Sequence, residues 1–132
     1  MARVHAAIGE GVTAGGKSEA AVYEETEDAA LIAGTVFISG EPAYVLIDTG
    51  ASHSFVSANY VKSRGWSTSP RGRAMEVRTP LGRFVEVNQI CRDQKIQVAR
   101  RDLRANLTVL DMRDFDAILG MDWLVAHAAV VD

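Results

Sequence analysis

Ala43-Tyr44-Val45-Leu46-Ile47-Asp48-Thr49-Gly50-Ala51-Ser52 is the stretch on which the fold turns. Residues 43–47 form an unbroken apolar run, and such a run predicts a strand buried on both faces. The run ends on a carboxylate. Burying Asp48 directly after that strand is unfavourable unless the group has a partner or a task. Gly50 permits a tight turn and close backbone approach. Backbone N–H groups of the turn can then bond the carboxylate, with Thr49 locking the turn. Asp-Thr-Gly alone is a weak signal, because Asp and Gly are common in ordinary turns; its surroundings carry the weight.

Working outward, Thr35-Val36-Phe37-Ile38 reads as a strand, and Gly40-Glu41-Pro42 as the turn that returns the chain into residues 43–47. Downstream, Ser57 is placed to cap a short helix over residues 58–64, and Gly65 to end it. A polar loop, 67–72, follows. Residues 75–78 and 83–90 then predict two strands joined through Thr79-Pro80-Leu81-Gly82. Residues 95–98 and 107–110 are further strands. Asp114-Phe115-Asp116 precedes a buried strand, Ala117-Ile118-Leu119, closed by Gly120. A last helix is expected over 122–129, with Asp122 as its cap. Many short strands at regular spacing predict an all-β barrel or sandwich. Residues 1–30 differ: Gly9, Gly11, Gly15 and Gly16 lie among small residues, and Glu24, Glu25, Glu27 and Asp28 follow. They read as a flexible N-terminal linker with a transient helix over 18–30, leaving 31–132 as the folded domain.

The 132 residues fit one domain, and 48% hydrophobic against 23% charged residues is an ordinary globular balance. A formal net charge of -3 argues against a general nucleic-acid binder. The basic residues between Lys95 and Arg104 are interrupted by Asp102 and read as a solvated strand-and-turn face. The single cysteine, Cys91, allows no intrachain disulfide and no cysteine metal cluster, and its place on a strand suits a small apolar residue. His5, His53 and His127 form no pair at ligand spacing. His53 beside Ser52 and Ser54 reads as a loop residue rather than part of a triad. Asp111, Asp114, Asp116 and Asp122 lack the glycine and terminal glutamate of a calcium loop and read as turn and cap residues. Trp66 and Trp123 are expected in the core or an interface. Asn106-Leu107-Thr108 matches a glycosylation sequon by chance, with no signal peptide ahead of it. No apolar run approaches the roughly 18 residues that span a bilayer, so no membrane partner is expected.

Two stretches in this order are specific. They are Tyr44-Val45-Leu46-Ile47-Asp48-Thr49-Gly50-Ala51-Ser52-His53-Ser54-Phe55-Val56 and Phe115-Asp116-Ala117-Ile118-Leu119-Gly120-Met121-Asp122-Trp123-Leu124. With Asn88-Gln89 and Val109-Leu110-Asp111-Met112, they make residues 31–132 resemble the retropepsin family of aspartic peptidases, especially those of Ty3/gypsy-type retrotransposons. The resemblance implies a retropepsin-like acid-protease barrel with a flap hairpin and a short C-terminal helix, active as a two-fold dimer. It implies Asp48 as the catalytic acid, Thr49 as a brace across the dimer axis and Gly50 as the residue that lets the loop approach substrate. Ala51, Ser52 and Ile118 would contact substrate, and Arg78, Thr79, Pro80, Leu81, Gly82 and Arg83 would form the flap tip. No metal or cofactor is implied. Family members usually continue beyond the equivalent of Val130-Val131-Asp132 into another strand, so a weaker dimer is expected here.

The resulting expectation is an aspartic endopeptidase. It would hydrolyse peptide bonds of polyprotein substrates through an Asp dyad shared by a homodimer. It would work inside the cell, in the cytoplasm or within retroelement particles. The competing expectation is a retropepsin-like dimerisation or peptide-binding module that holds an extended peptide by strand addition without cutting it.

Overall fold

A computed structural model of the protein describes residues 19–22, 31–78 and 84–127. Its elements, in chain order, are β1 (Glu19–Val22), β2 (Leu31–Ile38), β3 (Glu41–Asp48), β4 (Phe55–Ser57), α1 (Ala58–Arg64), β5 (Ser69–Arg78), β6 (Phe84–Val98), β7 (Arg101–Leu110), β8 (Ala117–Leu119) and α2 (Met121–Ala126). The strands lie in the order β1-β5-β6-β2-β3-β8-β4-β7, and a further pairing of β6 with β7 joins the sheet back on itself. The long β6 therefore closes a barrel of β6, β2, β3, β8, β4 and β7. On its other side β6 carries β5, with β1 outermost. The expected all-β barrel with a short C-terminal helix is what the chain forms.

The unbroken apolar run before Asp48 has a simple cause. In β3, Ala43 and Val45 face one buried cluster with Ile38, Val56, Cys91, Ile96, Leu107, Leu119 and Trp123. Leu46 faces a second, with Ala51, Phe55, Met75, Val77, Val87, Leu110, Phe115 and Ile118. Successive side chains of a strand point to opposite faces, so a strand between two clusters needs apolar residues at both parities. β4 and β8 obey the same rule: Phe55 and Ile118 join one cluster, Val56, Ala117 and Leu119 the other. Each large aliphatic or aromatic side chain so enclosed contributes roughly 1.5–3 kcal/mol of burial.

Turn chemistry sets the hairpins. Ser39 and Gly40, at φ 50° and 85°, close β2 onto β3 with Ile38 opposite Glu41. Ala99 and Arg100, at φ 51° and 70°, close β6 onto β7 with Val98 opposite Arg101. Two-residue turns with both φ positive match the right-handed twist of the strands, and they favour Asn-Gly. Ala99 and Arg100 both carry a Cβ in this left-handed region, at roughly 1–2 kcal/mol per residue. The double change Ala99→Asn with Arg100→Gly is therefore expected to raise the unfolding free energy by about 1 kcal/mol. An equilibrium urea titration reads this as a higher midpoint at unchanged slope.

Several expectations are met and several corrected. Ser57 caps α1, its Oγ accepting from the Tyr60 N–H at 3.3 Å, and Gly65 ends it at φ 67°. Residues 83–90 and 95–98, expected as separate strands, both fall in β6, which begins at Phe84. The interruption is a bulge between Cys91 and Gln94, where Asp93 takes φ 59° and its N–H donates to Asn106 Oδ1 at 2.8 Å. The basic residues near 95–104 lie on this exposed hairpin, paired as Lys95–Asp102 and Arg104–Asp93 at 3.9 and 3.5 Å. Exposed pairs of this kind are worth under about 1 kcal/mol. A helix does not form over 19–22; that segment is β1, paired parallel with β5. The rest of the 18–30 helix expectation lies outside the described residues. The last helix begins at Met121, with Gly120 as its N-cap. Asp122 is therefore in the first turn rather than at the cap, and the tail of the expected helix, 128–129, lies outside the described residues.

Candidate active site

β3 delivers Asp48 into the interior, where its side chain is 0% exposed. The turn that follows folds back on it. The Gly50 N–H donates to Asp48 Oδ1 at 2.7 Å, and the Ala51 N–H donates to the Asp48 carbonyl at 3.1 Å. Asp48 Oδ2 is buried too, and it finds no hydrogen-bond partner among the described residues. Burial pushes the Asp48 carboxyl up from 3.8 to about 6, and the Gly50 N–H offsets part of that rise. One oxygen of the carboxylate is thus fixed by the backbone. The other is presented without a partner among the described residues, on a group that still holds a proton in mildly acidic solution. A buried acid with a raised pKa, held by a turn, makes Asp48 the candidate for acid–base chemistry.

The loop is pinned from its far side by the junction of β8 and α2. The Met121 N–H donates to the Ala51 carbonyl at 2.7 Å. The Gly120 N–H donates to Ser54 Oγ at 3.0 Å, and the Ser54 hydroxyl donates to Asp122 Oδ1 at 2.6 Å. Asp122 Oδ1 also accepts from the Trp123 N–H at 2.7 Å. Gly120 is needed for closeness: a Cβ there would lie 2.4 Å from the His53 carbonyl oxygen and 2.6 Å from that of Ala51. In the sequence Gly120 reads only as the end of a strand, and Ser54 only as part of a familiar stretch. Their contact spans 66 residues, a separation that local pattern does not register. Asp116 has a comparable structural task, its Oδ2 accepting from the Tyr44 N–H at 2.8 Å.

The other candidate residues divide clearly. Thr49 is exposed and Gly50 half-buried beside Asp48. Ser52 is half-buried, with its Oγ 2.8 Å from His53 Nδ1. Ala51 and Ile118, expected against substrate, are both 0% exposed and pack in the cluster under the loop. Arg78 is exposed at the end of β5, opposite Phe84 of β6. Thr79, Pro80, Leu81, Gly82 and Arg83 lie outside the described residues. The two arms that would carry a flap are in place, because β5 and β6 pair antiparallel. Met75, Val77 and Val87 from these arms share a cluster with Ala51, so the hairpin base packs against the Asp48 loop. Cys91 is buried and burial raises its thiol pKa, which suits a packing role rather than a nucleophile.

A closed β-barrel, an Asp-Thr-Gly turn with a buried acid, and a hairpin packed on that turn form one arrangement. The family model described as retroviral aspartyl protease matches residues 12–132. The chain belongs to that family. Among solved structures, EIAV protease, complexed with the inhibitor HBY-793, is similar over 83% of this chain and 99% of its own length. Its TM-score is 0.52 and its identity 22%. At that identity the likeness speaks for the retroviral protease fold. No curated protein matches the chain. Gly120, Ser54 and Asp122 are the chain's own means of holding the loop that follows Asp48.

Proposed function

We propose that the protein is an aspartic endopeptidase whose catalytic dyad is completed by a second copy of the chain. The observation that carries this reading is Asp48 itself: a fully enclosed carboxyl, raised to about 6, with Oδ2 unbonded among the described residues. The sequence holds one Asp-Thr-Gly, and a dyad needs two. An isologous two-fold contact supplies the second Asp48. Two such carboxyls a few ångströms apart cannot easily both ionise, so they share a proton.

The chemistry then divides between them. The ionised Asp48 takes a proton from water as the water oxygen attacks the peptide carbonyl carbon. The protonated Asp48 of the second copy gives its proton to the carbonyl oxygen. Collapse of the tetrahedral species breaks the C–N bond, and a proton returned by the dyad leaves on the amine. Thr49, exposed beside Asp48, is suited to brace the two loops across the axis. On this reading Arg78, at the end of β5, leads into the flap tip, 79–83, whose task is to cover the peptide and exclude water.

The two long motif stretches favour a Ty3/gypsy-type retroelement as the source, with the element's own polyprotein as substrate, processed in the cytoplasm or within particles. Residues 1–30 would connect the domain to the preceding part of such a polyprotein, with Glu19–Val22 paired onto β5. Cleavage of a polyprotein-derived peptide, followed across a dilution series beside sedimentation, tests the shared site. Activity per chain is expected to fall as dimers dissociate, at the concentration where the sedimenting mass halves. Constant activity per chain in a species that sediments as a monomer overturns the proposal.

A further inference from the structure

The strand β5 has two edges, and both are used. Along one, Met75, Glu76, Val77 and Arg78 pair with Val87, Glu86, Val85 and Phe84 of β6. Along the other, the same four residues pair in parallel with Glu19, Ala20, Ala21 and Val22 of β1. β1 is the last strand of the sheet on that side. The chain's own N-terminal segment therefore covers the edge that the β5–β6 hairpin would otherwise present.

The strand that owns this edge packs on the candidate site. Met75 and Val77 are fully buried in the cluster that holds Leu46 and Ala51, the neighbours of Asp48. The strand they belong to thus lies against the catalytic loop. An open strand edge displays a row of unpaired N–H and C=O groups, and an extended peptide binds such an edge by adding itself as a further strand. β1 runs along that edge for four successive residues and engages the groups that alternate residues turn towards it. It is also tethered close by: Val22 is nine residues before Leu31, the pairing partner of Asp48 in β2–β3. Nine residues reach at most about 30 Å, and a short flexible tether corresponds to an effective concentration in the millimolar range. The hold described for β1 is its main-chain pairing with β5, which a longer peptide can match.

We propose that β1 is an intramolecular competitor of peptide substrate, seated on the outer edge of β5, so that an extended peptide adds to the flap hairpin only when β1 has left. The inference rests on reading β5–β6 as the flap of a peptidase. It requires the competing peptide to run parallel to β5, towards Arg78, as β1 does. The apparent affinity for peptide is then reduced by the fraction of chains in which the edge is open.

The test uses the full chain carrying Asp48→Asn, so that binding is read without cleavage, with and without the further double change Ala20→Pro and Ala21→Pro. Neighbouring strand residues direct their N–H groups to opposite sides, so one of the two prolines must remove a ladder bond to β5. The probe is a fluorescein-labelled peptide with the sequence of residues 17–24, followed by anisotropy. Amide exchange at residues 75–78 is followed in parallel without peptide. The expected result is faster exchange at those of the four amides that face β1 and peptide binding about fivefold or more tighter in the proline variant. Faster exchange with unchanged peptide affinity overturns the inference, because the freed edge is then not where peptide binds. Unchanged exchange overturns it as well, because β1 was then not covering the edge. Absence of hydrolysis by chains that retain Asp48 would instead sink the peptidase reading, and it leaves this binding result readable.

Discussion

Replacing Asp48 by Asn is expected to lower peptide hydrolysis by about 10³–10⁴-fold, the scale of losing a positioned acid or base, while the chain still folds. The amide oxygen can keep the bond from the Gly50 N–H that Asp48 Oδ1 accepts at 2.7 Å, but it cannot take a proton from water. The same substitution has a second, independent signature in stability. The folded Asp48 carboxyl is raised from 3.8 to about 6 by burial. An acid whose folded pKa lies above its unfolded one contributes stability that is fully present below the unfolded pKa and is lost as pH rises through the folded one. Dilute wild-type chains should therefore lose about 2–3 kcal/mol relative to Asp48→Asn between pH 4 and pH 7, since each tenfold change in proton affinity on folding is worth about 1.4 kcal/mol. Paired urea titrations at the two pH values read the difference, in which other titrating groups cancel. Near-normal hydrolysis by the purified variant would remove Asp48 from the mechanism, and a pH-independent stability difference would remove the account of its burial.

Gly120→Ala is expected to have the largest effect on the fold. The added methyl would meet two backbone carbonyl oxygens, those of His53 and Ala51, at 2.4 and 2.6 Å. Neither can rotate away as a side-chain tip would. The Ala51 carbonyl is also held by the Met121 N–H at 2.7 Å, so relieving the clash breaks a bond that fixes the loop after Asp48. Overpacking against rigid backbone together with a lost buried hydrogen bond should cost about 3 kcal/mol or more. The φ of Gly120 is -104°, open to any residue, so crowding rather than backbone strain is the cause. A urea midpoint within experimental error of the wild type would show that the loop and the β8–α2 junction are less tightly joined than described.

The residues that can be read from sequence are those whose environment is decided locally. β3 declares itself by five apolar residues between a turn and a carboxylate, and α1 by Ser57 and Gly65, whose capping geometry needs only neighbours. β8 is legible for the same reason as β3, being buried at both parities. β4, three residues long, carries too little periodicity to register. The two halves of β6 read as separate strands because a bulge at Asp93 breaks the alternation without ending the strand. β1 escapes a sequence reading because Glu-Ala-Ala-Val has helical rather than strand character, and only pairing with β5 makes it extended. At the site, Asp48 stands out as a carboxylate after a buried strand. The bracing by Ser54, Gly120 and Asp122 joins segments far apart in the chain. Ile118 is another residue set by long-range pairing: it lies between Leu46 and Phe55 in the sheet, within the core.

The shared dyad is tested most directly by subunit mixing. Wild-type chains at fixed concentration are titrated with folded Asp48→Asn chains, with total protein held above the dimer dissociation constant, and hydrolysis of a peptide is followed. If each site draws one Asp48 from each of two chains, the added variant captures wild-type chains in one-carboxylate heterodimers. A ninefold excess should then cut activity per wild-type chain to about one-tenth, the fraction of wild-type chains that still pair with one another under random association. Activity per wild-type chain that stays constant through the titration would contradict a site built from two copies.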